Sequence, residues 1–273
     1  MDQILFSSPL FKIGRFSISP KVEDFYKQDL IKQPTIVFPR NSIWIQHHSQ
    51  TAFVADTSIV NFYNHNQQYT RRAIHPNGDD CYWIKLSKEL LTEMVPEAGN
   101  NKYQDLFMHQ NLPCEKSVFL NQMHLLKLIS TQDNKLLIEE KVLDLVEHLL
   151  RYQLKNTEFK SLKQTKNTHR VLVENVKSSI LENLSSNKSL KQLAKMNHTS
   201  AFHLSRVFKR VCGYGINQYR TEQRLRNIAL KIQNGNQDLA YLAMDYGFSS
   251  HSHLTSRFKK HFNKTPTQFA FSI

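Results

Sequence analysis

The sequence predicts an α+β chain. A strand-built first part is followed by helices, and then by an all-α second part holding two helix-turn-helix units. Three observations predict this. Short β-rich runs recur through the first hundred or so residues. From about Val118 the apolar residues change to helical spacing. In the last hundred residues one block of sequence occurs twice. The chain has 273 residues, enough for two domains, and its 40% hydrophobic residues, with 17 Phe and 10 Tyr, exclude a wholly disordered polymer.

The strand runs are Ile36-Val37-Phe38, Ile43-Trp44-Ile45, Phe53-Val54-Ala55, Ile59 to Tyr63 and Cys81-Tyr82-Trp83-Ile84. Turn-formers separate them at Pro39 to Ser42, Asn64-His65-Asn66 and Pro76-Asn77-Gly78-Asp79. Even spacing with this punctuation predicts a sandwich or a barrel. Met123, Leu126 and Ile129 then open a first amphipathic helix. A stronger one runs from Leu136 to Leu154, with Ile138, Val142, Leu145, Val146 and Leu149 on one stripe and Leu143, Leu150 and Leu154 on a neighbouring one. A helix apolar on two sides must bury both, either inside its own domain or against a second subunit.

Charge divides the chain. Residues 1–165 carry 19 Lys+Arg and 18 Asp+Glu, net +1, whereas residues 166–273 carry 17 and 5, net +12. A segment this basic seeks polyanions, nucleic acid first and an anionic membrane second. The polar stretch from Lys155 to Arg170 holds the boundary, which gives domains 1–155 and 169–273 with a linker at 156–168. Three cysteines far apart (Cys81, Cys114, Cys212) speak against a disulfide scaffold and a Cys-based zinc finger. No apolar run reaches a membrane span and the first residues lack a signal-peptide pattern, so the expected home is the cytoplasm.

The repeat is the most specific feature. Leu190, Leu193 and Ala194 match Leu239, Leu242 and Ala243 at an offset of 49, and Leu204, Phe208, Lys209 and Arg210 match Leu254, Phe258, Lys259 and Lys260 at an offset of 50. The second copy therefore has one extra residue in its turn. Gln218-Tyr219 continues the match against Gln268-Phe269. Ser189 and Asp238 suit the N-cap of each first helix, Ser200 and Ser249 or Ser250 that of each second helix. Gly213 and Asn263 suit a left-handed stop. Wheel geometry buries Leu204, Val207, Phe208 and Val211 in the first copy, opposite Phe202, Ser205, Arg206 and Lys209, with His203 and Arg210 at the edges. In the second it buries Leu254, Phe258 and Phe262, opposite Ser252, Thr255, Ser256 and Lys259, with His253 and Lys260 at the edges. Such faces suit base edges and phosphates. Between the copies a helix from Ile216 to Gln233 has Leu225, Ile228, Ala229 and Ile232 as its apolar stripe and Arg220, Arg224, Asn227 and Lys231 as a polar one. It would space two recognition helices about one DNA turn apart.

These pieces, SLKQLA, HLSRVFKRVCG, RLRNIALKI, LAYLAMDYGF, HLTSRFKKHF and TPTQF, resemble the DNA-binding domain of AraC/XylS-family transcription regulators. The resemblance spans most of 168–270. It implies a seven-helix domain that places two units in adjacent major grooves of double-stranded DNA. Carried onto this chain, the reading residues are Phe202, His203, Ser205 and Arg206, then His251, Ser252, His253, Thr255 and Ser256, with Lys209 and Lys259 added from the wheels. Ser256 stands where the family usually has a basic residue; Arg257 follows one place later, at the edge of the buried stripe. Asn263 stands where the family usually has Gly. FPRNSIWI, FVADTSIVNFYN and GDDCYWI resemble the N-terminal parts of some members, which implies a cupin-like barrel followed by dimerisation helices. The implied activity is transcriptional activation, with RNA polymerase as a partner, a small-molecule effector or partner subunit as input, and a homodimer through helix 136–154.

Enzymatic chemistry finds little purchase. Seven His lie in residues 1–165 (His47, His48, His65, His75, His109, His124, His148), with no His-x-His in the strand region. His47 and His48 are adjacent, so on a strand they face opposite sides. His65 and His75 flank hairpins and are expected in solvent. The only His-x-His, His251-Ser252-His253, opens a recognition helix. No GxSxG or Gly-rich phosphate loop is present among 7 Gly. The expectation is no enzyme, no metal and no cofactor. A metal-dependent cupin enzyme with a DNA tether is the competing reading, and an architectural DNA binder without sequence preference a third.

Overall fold

Alternating apolar residues build the first of two units, Met1–Ser161; the second is Leu162–Ile273. The computed structural model describes residues 2–48, 50–94, 106–131, 134–155, 167–236 and 238–272. Unit 1 contains strands β1 (Asp2–Ser7), β2 (Phe11–Ile18), β3 (Asp29–Ile31), β4 (Thr35–Pro39), β5 (Ile43–His47), β6 (Phe53–Ala55), β7 (Ile59–Tyr63), β8 (Gln67–Ala73), β9 (Asp79–Leu86) and β10 (Asn111–Pro113). Helices α1 (Lys88–Met94), α2 (Lys116–Ser130) and α3 (Lys135–Lys155) belong to the same unit. One sheet has the order β1-β2-β9-β4-β7-β10 and the other β3-β8-β5-β6. Every pairing is antiparallel. Strands β4 to β7 and β9 coincide with the runs read from sequence, whereas β1, β2, β3, β8 and β10 carried no comparable signal. Strand β8 (QQYTRRA) shows why: its buried position is Arg71, not an apolar residue.

Residues of the two sheets line a cavity of about 200 Å³ that is open to solvent on one side. Residues two apart on β4 (Thr35, Val37, Pro39), β7 (Asn61, Tyr63) and β9 (Asp79, Cys81, Trp83, Lys85) line it, as the period of a strand requires. Buried beside it, the Arg71 guanidinium pairs with Asp29 and, at 3.4 Å, with Asp79. It also donates to the Tyr69 hydroxyl at 2.8 Å and lies 4.8 Å from the Phe16 ring. His47 is buried on β5, its ring stacked 5.1 Å from Tyr63 and its Nδ1 bonded to the Gln67 amide. His48 is exposed. Burial pushes the His47 imidazole down to about 4. His75 is exposed as expected, but His65 is only partly so, since its Nδ1 sits 2.7 Å from the Lys32 carbonyl.

Helix α3 buries Ile138, Val142, Leu145, Val146 and Leu149, and Leu150 from the neighbouring stripe as well. Each such side chain contributes about 1.5–3 kcal/mol over an exposed one. Gln153 exchanges two 2.9 Å hydrogen bonds with the backbone of His109, which fixes the far end of the helix. Leu136 stays 70% exposed.

Unit 2 comprises α4 (Asn167–Leu181), α5 (Leu190–Met196), α6 (Ala201–Cys212), α7 (Ile216–Gln233), α8 (Leu239–Asp245), α9 (His251–Phe262) and α10 (Pro266–Ser272). Of the linker expected at 156–168, residues 156–166 lie outside the described residues, while Asn167 and Thr168 are already helical. On α4 the buried apolar stripe is Val173, Val176, Ile180 and Leu181. The repeat recurs in the core. Phe208 packs against Tyr219 at 5.7 Å in the first copy, and Phe258 against Phe269 at 5.2 Å in the second.

Candidate nucleic-acid interface

Each unit is set by its caps. Ser189 and Gln192 form a reciprocal capping box on α5, and Asp238 accepts the Tyr241 N–H at 2.8 Å on α8. Ser200 accepts from His203 N–H and Ser250 from His253 N–H, both at 3.1 Å. Of the two serines considered for the second copy, Ser250 is therefore the cap. Both second helices stop in the left-handed conformation, Gly213 at φ 80 and Asn263 at φ 61. The turn between helices spans residues 197–200 in the first copy and 246–250 in the second, which locates the extra residue.

On α6, Leu204, Val207 and Phe208 are buried and Val211 partly so. Phe202, His203, Ser205, Arg206 and Lys209 are all exposed on the opposite side. Phe202 is 71% exposed, an unusual place for so large an apolar ring. The Arg206 guanidinium lies 5.3 Å from its centroid, one turn along, so the ring steadies the cation. On α9, Leu254, Phe258 and Phe262 are buried, while His251, Ser252, His253, Ser256 and Lys259 are exposed and Thr255 partly so. Arg257, at the edge of the buried stripe, is exposed. Its Nε donates to His253 Nε2 at 3.4 Å, and His253 Nδ1 sits 2.9 Å from Ser249 Oγ. Neither α6 nor α9 contains an acidic residue. The two polar faces thus carry uncompensated positive charge on helices whose other sides are anchored in a core.

The wheel placed Arg220 and Arg224 on a polar stripe of α7, and the structure buries both. Arg220 donates to the Lys188 carbonyl at 2.6 Å. Arg224 donates to the carbonyls of Leu184 (2.7 Å), Ser186 (3.2 Å) and Ser185 (3.4 Å), and to Asn187 Oδ1 (2.9 Å). Burial, with Arg220 nearby, pushes the Arg224 guanidinium down to about 10. These arginines hold the α4–α5 loop against α7 and position both units. Their partners lie 23 to 40 residues away, so no local spacing signals them.

Among the described residues no group of three or more His, Cys, Asp or Glu side chains is placed to hold a metal ion. No described helix is long and apolar enough to cross a membrane.

Comparison with known proteins bears on the same helices. A helix-turn-helix domain family matches residues 193–270. The multiple antibiotic resistance protein MarA of Escherichia coli (strain K12) is 33% identical over 104 residues, which covers 38% of this chain and 82% of MarA. The probable transcription factor PqrA of Proteus vulgaris is 36% identical over 104 residues, covering 36% of this chain and 85% of PqrA. Among solved structures, ToxT of Vibrio cholerae with a bound unsaturated fatty acid is 13% identical, covers 98% of this chain and 97% of its own, and has a TM-score of 0.38. With relatives of this identity covered over most of their own length, and a helix-turn-helix family matching the repeated units, the chain belongs to the AraC/XylS family of transcriptional regulators.

Proposed function

We propose that this chain is a sequence-specific activator of transcription that reads DNA through α6 and α9. The observation that carries the reading is the duplication: two capped helices, each with a buried apolar side and an exposed side of Arg, Lys, Ser, Thr and His, in a half of net charge +12. Phe202, His203, Ser205, Arg206 and Lys209 serve the first groove. His251, Ser252, His253, Thr255, Ser256 and Lys259 serve the second. Residues 169–273 act as a seven-helix DNA-binding domain. Residues 1–155 act as a cupin-like domain for sensing and dimerisation, with α3 as the dimer helix and a small molecule or partner subunit as input. RNA polymerase is the partner at the promoter, and the protein works in the cytoplasm without a metal or cofactor.

The test is a binding selection with the full chain on a random duplex pool. The expected product is a site with two information-rich patches about ten base pairs apart. Retention that merely falls with salt, with no sequence enriched, overturns the reading in favour of a non-specific anchor.

A further inference from the structure

The cavity of unit 1 has a wall whose chemistry selects among ligands. Val37, Ile43, Ile45 and Ala55 give it apolar faces, and the Tyr63 and Tyr69 rings, 5.0 Å apart, face it together with Trp83. Among the described residues of the wall the one Lys or Arg is matched, since Lys85 pairs with Asp2 at 3.1 Å. Asp2 also takes the Trp83 indole N–H at 2.6 Å. Arg71, outside the wall, is matched by Asp29 and Asp79. A carboxylate ligand would therefore meet no unpaired cation on the described wall, which already holds the carboxylates of Asp2, Asp29 and Asp79. The chain's own acids respond to the same environment: burial pushes Asp79 up to about 6 and raises Tyr63, Tyr69 and Cys81 well above their ordinary values. Among the described residues of the wall, one buried acceptor is unsatisfied. Asn61 is 1% exposed, lines the cavity, and its Oδ1 has no hydrogen-bond partner. An unsatisfied buried amide oxygen is costly, and a donor on a ligand removes that cost.

We propose that this cavity binds an uncharged one- or two-ring molecule that donates an N–H or O–H hydrogen bond to Asn61 Oδ1. The size agrees: an apolar cavity of about 150 Å³ holds benzene, and this one is about 200 Å³. Aromatic walls suit a planar guest, stacked or edge-on. The proposal rests on the reading of unit 1 as the sensing part and names the ligand class for it.

Calorimetric titration of the full chain tests it with three probes of one shape: indole, benzofuran, which lacks the N–H, and indole-3-carboxylate, which adds a negative charge. Indole is expected to bind, benzofuran about tenfold more weakly, and the carboxylate more weakly than either. In Asn61→Ala, indole is expected to fall to the benzofuran affinity while benzofuran is unchanged. Equal affinity of indole and benzofuran for the unaltered chain overturns the hydrogen bond, whether or not the variant folds. Tighter binding of the carboxylate overturns the neutral-ligand chemistry and leaves the sensing reading standing. Binding of none of the three overturns the proposed class outright. Saturating indole that binds as expected but leaves DNA affinity unchanged supports the site and counts against the sensing reading alone.

Discussion

Arg224 and Gly247 pack too closely for a side chain to stand between them: Nη1 donates to the Gly247 carbonyl at 3.2 Å, and Nη2 lies 2.9 Å from where a Cβ on residue 247 would stand. That Cβ would also meet the Ser185 carbonyl oxygen at 2.5 Å, and the backbone at 247 has φ +70. The equivalent turn position in the first copy is His198, left-handed at φ 51 yet exposed to solvent. Opposite effects are expected at the two sites. Gly247→Ala should destabilise unit 2 by about 3 kcal/mol, combining left-handed strain with a backbone clash. His198→Gly should stabilise by about 0.5 kcal/mol, strain relief less the added freedom of the unfolded chain. Denaturant melts followed by far-ultraviolet circular dichroism would decide; equal responses at 198 and 247 would refute the role given to Arg224.

Arg206 is held over Phe202 on the exposed side of α6. Replacing it with Ala should weaken binding to the selected site by about 1–3 kcal/mol and relax preference at one base step. A loss equal on every duplex would mean that Arg206 touches only phosphate.

Lys259 is exposed near the end of α9, where its charge adds to that of Lys260. The Lys259→Ala variant should reduce the slope of log affinity against log salt by about one, with base preference unchanged. An unaltered slope would exclude the phosphate contact.

Acid acts on unit 1 in two opposing ways. Burial pushes His47 down to about 4, so between its unfolded value near 6.5 and that point the unfolded chain holds a proton the folded one refuses, and stability is lost as pH falls through that window. Asp79 is raised from 3.8 to about 6, so over that window the folded chain holds the proton, and its contribution grows as pH falls. His47→Phe keeps a ring against Tyr63 and removes only the first effect. Relative to the unaltered chain, the variant should gain about 3 kcal/mol between pH 7 and pH 4. Both tryptophans, Trp44 and Trp83, lie in unit 1, so their fluorescence follows its unfolding. A variant-to-parent difference that does not change with pH would disprove the assignment.

Helix periodicity is local, and what depends on it was legible. Helix α7 begins at Ile216 and ends at Gln233 as its apolar stripe predicts, and the caps at Ser189, Ser200, Asp238, Gly213 and Asn263 stand where their residue types put them. The same holds for the exposure of the residues named on α6 and α9. Features fixed by distant partners were not legible. The alternation of β8 is hidden because its inward residue is Arg71, whose counter-charges come from β3 and β9. Arg220 and Arg224 read only as a polar stripe because their partners are carbonyls distant in sequence, from the α4–α5 loop and Gly247. Asn61 reads as one residue of a strand, and only the cavity shows its open acceptor.

The two second helices share their scaffold but not their outward residues: α6 presents Phe202 and Arg206 where α9 presents Ser252 and Ser256. A duplex gripped by such a pair acquires a head and a tail. A single copy of the chain would then bind pointing one way along the helix, and turning its site end for end would aim the rest of the protein away from the gene. Orientation of the site becomes as much a part of the instruction as its letters, and a palindrome is not needed to supply it.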